Sequence, residues 1–183
     1  MNPNDRRHDL ICTIHALDRP FSQFKDYKQV AKTINPHPIL RDMDKLNRQI
    51  PNPWKNELPN ARAVTIDTNK NLTFKQATIK AKAGETLKFT LRNPDVVPHN
   101  WALLKPGTLQ KVGDLTNGLI ADPEAYLRHY VPQTDDVIVY TDIVEPGERF
   151  TVFFQVPKEP GRYPYLCTFP GHWMVMNGML IVE

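Results

Sequence analysis

The sequence predicts an all-β protein, a Greek-key β-sandwich of about eight short strands with a helical flap and a mostly helical or irregular N-terminal extension. Three observations support this prediction. From residue 61 onward apolar and polar residues alternate with a period of two, as they do in half-buried antiparallel strands. Turn signals containing Gly or Pro separate the alternating runs. Residues 105–136 interrupt the alternation and predict a flap inserted between two strands.

The first 60 residues form a different region, rich in Pro, Asn and charged residues and without alternation. Apolar residues recur there at helical spacing, first over 24–34 and again over 39–50. Pro36 and Pro38 separate the two stretches, because a proline disfavours helix at the residue before it. We interpret residues 1–60 as an arm of two small helices docked on a neighbour or on the domain itself. A disordered linker is the alternative.

The predicted domain, residues 61–183, contains eight runs that read as strands. They lie at residues 63–66, 77–81, 86–91, 99–104, 137–141, 150–156, 161–166 and 178–182. Ala83-Gly84-Glu85 and Asn93-Pro94-Asp95 are turn signals between neighbouring runs. Within the flap, Pro123 stands at the first turn of a short helix predicted over 122–127. The set fits two packed antiparallel sheets with one flap.

Composition argues against several classes of function. The 183 residues carry a formal net charge of +3, and the basic residues are scattered, so nucleic-acid binding is not expected. The longest apolar runs have the length of strands, and no membrane span is predicted. The N-terminus lacks the apolar core of a secretory signal. We therefore expect either that a signal has been removed or that the chain is a piece of a larger protein.

The most informative stretch runs from Cys167 to Met176 and presents a thiol, an imidazole and a thioether at the spacing C-x4-H-x3-M. Taken singly, each of these residues is more often a packing or hydrogen-bonding residue than a metal ligand. Together, a soft sulfur, the borderline nitrogen of His172 and a weak second sulfur match the donors of a blue-copper electron-transfer site. A short loop cannot surround a metal by itself. His99, in a Pro-His-Asn run, is the candidate for the fourth ligand.

The chain has two cysteines, Cys12 and Cys167. With Cys167 bound to a metal no intramolecular disulfide can form, so cysteine usage does not establish the redox compartment. Cys12 and His15 are close enough in sequence to suggest a second metal site. Two ligands without companions are weak evidence, and a buried or stray thiol is the favoured interpretation of Cys12.

Several motifs of the domain match one known family. They are Pro98-His99-Asn100-Trp101, the flap 105–136, the run Tyr163–His172 with its Cys-Thr-Phe-Pro-Gly-His loop, Met176 and the closing strand 178–182. Through them, residues 61–183 resemble a cupredoxin of the azurin type, a type 1 blue copper protein. The flap run Tyr126–Pro132 is also similar to azurin-like domains of larger bacterial redox proteins. Residues 1–60 lie outside the resemblance.

The resemblance implies one copper ion with four protein ligands. His99, Cys167 and His172 would be the equatorial ligands and Met176 the axial one. Pro98 stands where azurins have Gly, as it does in plastocyanins. Its carbonyl is a candidate for a weak second axial contact, although a proline lacks the backbone N–H donor and stiffens the loop.

The resemblance also implies roles for three residues beside the ligands. The side chain of Asn100 would tie the two ligand loops together next to Thr168. The backbone amide of Phe169 would point at the ligand sulfur and, with Asn100, tune the reduction potential. The disulfide of azurins has no counterpart in this sequence.

The function implied is outer-sphere electron transfer through the exposed edge of His172, by an electron carrier rather than an enzyme. An apolar docking collar would surround that edge, formed by Trp173, Met174, Pro170 and Val97. Packing of Trp173 in the core is the alternative. The partner would be a redox protein such as a c-type cytochrome or a dehydrogenase, and the location periplasmic or otherwise exported. Two alternative functions are an electron-relay module of a larger redox enzyme and a copper delivery or storage protein.

Overall fold

The computed structural model describes residues 50–183, which form two β-sheets, a helical flap and a short N-terminal segment. The strands of this part of the chain are β1 (Arg62–Asn69), β2 (Thr73–Phe74), β3 (Thr78–Ala81), β4 (Thr86–Arg92), β5 (Ala102–Leu104), β6 (Val137–Tyr140), β7 (Arg149–Gln155), β8 (Gly161–Leu166) and β9 (Asn177–Val182). The flap between β5 and β6 contains helix α1 (Leu109–Gly118) and two 3-10 helices, Leu119–Ala121 and Ala125–Arg128. The predicted helices before residue 50 and the Cys12–His15 pair lie outside the described residues.

The predicted β-sandwich is confirmed, with strand orders β2-β1-β4-β7 and β3-β9-β8-β5-β6 in its two sheets. The expectation that all strands are antiparallel was wrong, because β1 pairs with β4 and β3 pairs with β9 in parallel. The short strand β2 was also missed. Alternation along a strand shows which face is buried, but it carries no information on the direction of the partner strand.

The core lies between the sheets and holds the segment that leads into the predicted site. On β4, Leu87, Phe89 and Leu91 are at most 1% exposed, while Lys88 between them faces solvent. The indole ring of Trp101, also 1% exposed, stacks on the Phe89 ring at a centroid distance of 3.9 Å. A large aromatic ring in such a core is held firmly by dispersion contacts and area burial. Trp101 therefore anchors the chain just after the Pro-His-Asn run.

The alternation predicted a strand that begins at residue 99, but strand β5 begins at Ala102. Residues 99–101 are bound to the sandwich by separate hydrogen bonds outside the strand. His99 makes an isolated antiparallel bridge with Val144, with N···O distances of 3.2 and 2.7 Å. The backbone N–H of Trp101 donates to the side-chain oxygen of Thr141. These bonds satisfy the backbone while the imidazole of His99 turns inward.

The flap differs from the prediction in its helices. The structure has an α-helix at Leu109–Gly118 that was not predicted, and the expected helix over 122–127 is instead a 3-10 helix at Ala125–Arg128. The spacing of the apolar residues Leu109, Val112 and Leu119, all on one helical face, could have indicated α1. Glycines within and at the end of α1 weaken that signal, because Gly is a poor helix former. Within residues 50–183, no helix has the length and apolar character needed to cross a membrane.

The segment just before β1 is packed on the sandwich, although the sequence pattern predicted that it belongs to the N-terminal extension. The amide of Asn52 donates to the Tyr140 carbonyl on β6 at 2.9 Å. The carbonyl of Trp54 accepts the Phe153 N–H on β7 at 2.8 Å. Strands β6 and β7 are edge strands of the two different sheets. Residues 52–54 thus bridge the sheets at one edge of the sandwich.

Candidate metal centre

Three donor side chains converge in one buried space. The His99 Nδ1, Cys167 Sγ and His172 Nδ1 atoms all lie within 4.8 Å of one another. The sulfur is 3.9 Å from His99 Nδ1 and 3.6 Å from His172 Nδ1, and the two nitrogens are 3.2 Å apart. The side chains of His99 and Cys167 are fully buried, and His172 is 8% exposed.

The size of this triangle fits a first-row metal ion. A point equidistant from the three atoms lies about 2.1 Å from each of them, close to the bond lengths of about 2.0–2.1 Å that imidazole nitrogen and about 2.3 Å that thiolate sulfur make to Zn²⁺. The size of the donor triangle alone therefore does not distinguish zinc from copper. A thioether beside a His₂Cys set is the combination that favours copper.

The thioether belongs to Met176, which is fully buried in the same core cluster as Cys167. Its backbone N–H and carbonyl groups both make hydrogen bonds to the other two residues of the ligand loop that carry donors. The Cys167 N–H donates to the Met176 carbonyl at 3.0 Å, and the Met176 N–H donates to the His172 carbonyl at 2.9 Å. The loop therefore keeps these three residues together through its main chain.

The ligand loop connects two paired strands, which determines where it begins and ends. Leu166 at the end of β8 lies opposite Asn177 at the start of β9 in an antiparallel pair. Between them, Gly171 has a φ of 82°, a left-handed conformation that a residue with a side chain rarely adopts. This turn directs the His172 side chain back towards Cys167, and the His172 N–H donates to the Phe169 carbonyl.

The side chain of Asn100 joins the two parts of the site. Its Nδ2 donates to Thr168 Oγ1 at 2.6 Å and to the His129 carbonyl at 2.7 Å, and its Oδ1 accepts the Thr168 N–H at 2.7 Å. The backbone amides of Asn100 and Phe169 hydrogen-bond the Cys167 sulfur. Asn100, Thr168 and Phe169 thus stand beside the sulfur. The roles of the Asn100 amide and of the His129 carbonyl were not predicted from the sequence.

Burial dominates the protonation of the donor groups. It raises the pKa of the Cys167 thiol to about 12, against the lowering effect of the Asn100 and Phe169 amides. Burial, followed by the neighbouring His99, lowers the pKa of His172 to about 4. Burial also lowers the pKa of His99, although Asp95 opposes it. Both imidazoles are therefore neutral near pH 7 and offer a lone pair, and a metal cation must displace the thiol proton when it binds.

The expectation that Trp173 stands exposed in a docking collar was wrong. Trp173 is 7% exposed and packs against the flap, where its Nε1–H donates to the Asn117 side chain at 3.0 Å. Its ring lies against Gly113 of α1, so closely that a Cβ there would be 2.3 Å from Trp173 Cε3. The following residue, Met174, is 65% exposed. Trp173 therefore attaches the flap to the ligand loop, which is the packing alternative raised from the sequence.

Among the other predicted docking residues, Val97 and Pro170 are half-buried, as is Pro98. Two exposed apolar residues that were not predicted as docking residues are Val96, 76% exposed, and Val175, 56% exposed. Val96 directly precedes the predicted collar residue Val97, and Val175 directly follows Met174, so adjacency in sequence was the signal that could have found them.

The sandwich and its His₂Cys-Met centre define the class of blue copper electron-transfer proteins. A family model of copper-binding proteins, the plastocyanin/azurin family, matches residues 60–183. The chain belongs to this family. Its members are electron carriers rather than enzymes, and the site suits one copper ion.

Individual relatives are similar to the same part of the chain. Auracyanin-A of Chloroflexus aurantiacus is 32% identical over 125 residues, covering 66% of this chain and 75% of the relative. The azurin of Pseudomonas fluorescens biotype C is 30% identical over 129 residues, covering 66% of this chain and 97% of the relative. The solved structure of auracyanin A, described as a "blue" copper protein, aligns with a TM-score of 0.60 at 30% identity, covering 68% of this chain and 100% of that one.

Proposed function

We propose that His99, Cys167 and His172 bind the copper ion directly, with Met176 as a weaker fourth ligand. The convergence of three donor atoms within 4.8 Å in one buried space carries this proposal. A set of two imidazoles, a thiolate and a weak thioether is acceptable to copper(I) and copper(II) alike. The contact of the Pro98 carbonyl with the metal stays a prediction.

The bound copper supplies a one-electron couple between copper(I) and copper(II). The chain keeps the donors in place while the charge changes, because the Asn100 side chain links the two ligand loops through two hydrogen bonds to Thr168 and is fixed to the flap by a third, to the His129 carbonyl. The amides of Asn100 and Phe169 stabilise negative charge on the Cys167 sulfur. A site that moves little on changing oxidation state suits fast outer-sphere electron transfer.

We infer that electrons enter and leave at the ring edge of His172. This ligand is 8% exposed, whereas His99, Cys167 and Met176 are fully buried. The imidazole of His172 is thus the shortest covalent path from the site to solvent. A redox partner that touches this edge comes within one side chain of the metal.

The docking collar that we propose around this edge consists of Met174, Val97 and Pro170, without Trp173. Exposed Val96 and Val175 extend its apolar character. A small apolar surface of this kind suits a weak and short-lived encounter. The partner that we propose is another redox protein, such as a c-type cytochrome or a dehydrogenase.

The colour of the copper-loaded protein tests the proposal most directly. Addition of copper(II) to the metal-free protein is expected to give the intense blue absorption of a copper-thiolate bond. Cys167→Ser should abolish that absorption, whereas the control Cys12→Ser should retain it. A colourless wild-type protein, or a Cys167→Ser variant that is as blue as the wild type, would refute the assignment.

Two alternatives concern what surrounds the centre. An electron-relay module of a larger redox enzyme is supported by the residues before 60, which lie outside the match to the family, and co-purification of a second redox protein would test it. Copper delivery or storage is disfavoured, because fully buried His99, Cys167 and Met176 do not present an exchangeable site.

We also propose that the protein acts in the periplasm or is otherwise exported, which cell fractionation can test.

A further inference from the structure

A buried carboxylate lies on the side of the His99 ring that faces away from the donor triangle. Asp95 Oδ2 is 3.0 Å from His99 Nε2, and the two side chains are 2% and 0% exposed. The other ring nitrogen, Nδ1, faces Cys167 Sγ and His172 Nδ1. A single imidazole thus connects the carboxylate to the candidate metal centre.

The loop before His99 holds this carboxylate in position. Asp95 Oδ1 accepts the Val96 N–H at 2.7 Å, and the Asp95 N–H donates to Asn93 Oδ1 at 3.1 Å. The Asn93 Nδ2 in turn donates to the Val97 and Val144 carbonyls, both at 2.8 Å. Oδ1 thus accepts a backbone donor, and Oδ2 is the oxygen that faces the His99 ring.

A neutral imidazole carries one proton, and the acceptor beside one nitrogen determines which nitrogen keeps it. The Asp95 carboxylate can only accept, so the proton of His99 belongs on Nε2 and the lone pair on Nδ1. In the described residues, Asp95 has no Lys or Arg partner within ion-pair distance that could neutralise its charge. Its negative charge therefore contributes, through the His99 ring, to the electrostatic potential at the candidate metal centre.

We propose that Asp95 is a positioning residue for the metal, which holds His99 as the Nε2–H tautomer and places an uncompensated negative charge behind this ligand. The inference deepens the proposed function and rests on it. The charge stabilises the more positive oxidised metal ion more than the reduced one, so Asp95 lowers the reduction potential. It also makes the imidazole a stronger donor, as hydrogen bonds to the far nitrogen of metal-binding histidines do.

Removal of the charge with little change of shape tests this role. In copper-loaded Asp95→Asn, voltammetry is expected to give a higher reduction potential than in the wild type. Copper(II) affinity should fall about 10–100-fold, the usual loss when the outer partner of a metal-binding histidine is removed. The affinity for Zn²⁺, which undergoes no redox change, should fall as well. A reduction potential in Asp95→Asn that equals or lies below that of the wild type would overturn the inference.

Asp142→Asn is the matched control, because it also removes a carboxylate from a buried histidine. Asp142 Oδ1 is 3.2 Å from His129 Nε2, and His129 is not among the three converging donors. We expect this variant to leave the reduction potential unchanged. An equal rise in both variants would mean that Asp95 has no special relation to the site.

The metal-free protein gives an independent measurement if Asp95→Asn binds no copper. At about pH 8, where the imidazole is neutral, nitrogen-15 NMR of the wild-type protein should show His99 as the Nε2–H tautomer, and Asp95→Ala should lose this preference. An Nδ1–H tautomer in the wild type would overturn the inference. This measurement needs no copper, so its outcome is separate from that of the colour test of the proposed function.

Discussion

The chemistry of the centre depends on how deeply each of the four candidate ligand side chains is buried. His99, Cys167 and Met176 are fully buried, and His172 reaches the surface with 8% exposure. Burial keeps the imidazoles neutral and excludes water from the sulfur. The His172 ring, although mostly buried, is the least buried of these four side chains, so the surface residues around it are where we expect a partner to approach the centre.

The first prediction concerns Met174, the most exposed residue of the docking collar at 65%. We expect Met174→Asp to slow electron self-exchange between oxidised and reduced copper-loaded protein about tenfold or more at low salt, because two like charges then meet in the encounter. The blue absorption should stay unchanged, since Met174 is not a ligand. Self-exchange rates from NMR line broadening provide the measurement.

Leu58→Asp is the control for this prediction, because it adds the same charge at another exposed apolar residue. Leu58 is 40% exposed and lies near Trp54 and Phe153, away from the ligand loop. Self-exchange should change little in this variant. Equal rates in Met174→Asp and the wild type, or equal slowing in both variants, would exclude Met174 from the encounter surface.

Much of the centre could be predicted from the sequence, because the identity of a donor is a property of the residue type. The spacing of Cys167, His172 and Met176 lies within one loop, where sequence distance limits spatial distance. The contacts of Asp95 with His99 and of Trp173 with α1 could not be predicted in the same way. They depend on side-chain directions that only the assembled fold determines.

At the scale of elements, the flap helix and the ligand loop behave as one unit. Trp173 follows the ligand His172 directly and fills the space above Gly113 of α1. The hydrogen bond from its indole to Asn117 adds a second attachment to the same helix. A change in α1 therefore acts on the loop that carries three of the four candidate ligands.

The second prediction uses this contact. Gly113→Ala would place a Cβ 2.3 Å from Trp173 Cε3, so either the helix or the indole must move. We expect the free energy of unfolding to fall by about 1–3 kcal/mol, as it does in overpacked cores, instead of the gain of about 0.5–1 kcal/mol usual for Gly→Ala in a helix. Urea denaturation measures the change, and a shifted blue absorption would report the movement of the ligand loop.

Gly118→Ala provides the matched control in the same helix. A Cβ at Gly118 has no heavy atom within 4 Å, and its φ of −66° suits any residue. This variant should be as stable as the wild type or more so. If Gly113→Ala is no less stable than Gly118→Ala, the close packing of Trp173 on α1 does not matter for stability.

Helices and strands could be predicted from the sequence where the spacing of apolar residues alone identifies the element. Strand β8 was predicted at its observed bounds, because it lies between clear turn signals. Helix α1 was missed, since Gly113 is required by the Trp173 ring and this requirement opposes helix propensity. The parallel pairing of β1 with β4 was missed because direction depends on how the chain crosses between sheets.

At the scale of the whole molecule, the segment before β1 completes the sandwich. Asn52, only 5% exposed, donates to the Tyr140 carbonyl and to Asp142, and its Oδ1 accepts the Trp54 N–H. The Trp54 ring meets the Tyr140 ring edge to face at 4.8 Å. The same segment covers β7 through the bond from the Phe153 N–H to the Trp54 carbonyl. Edge strands with unpaired backbone groups invite pairing with other chains, and these contacts cover two of them.

The third prediction tests whether this covering stabilises the whole sandwich. Asn52→Ala removes three partly buried hydrogen bonds, so the free energy of unfolding should fall by about 1–3 kcal/mol. Amide exchange at Phe153 should become faster, because its acceptor on Trp54 is no longer held against β7. Asn56→Ala, at an exposed residue of the same segment, should change neither quantity. Equal stability and equal Phe153 exchange in the two variants would mean that the sandwich is stable without this bridge, and that residues 50–55 only lie along its edge.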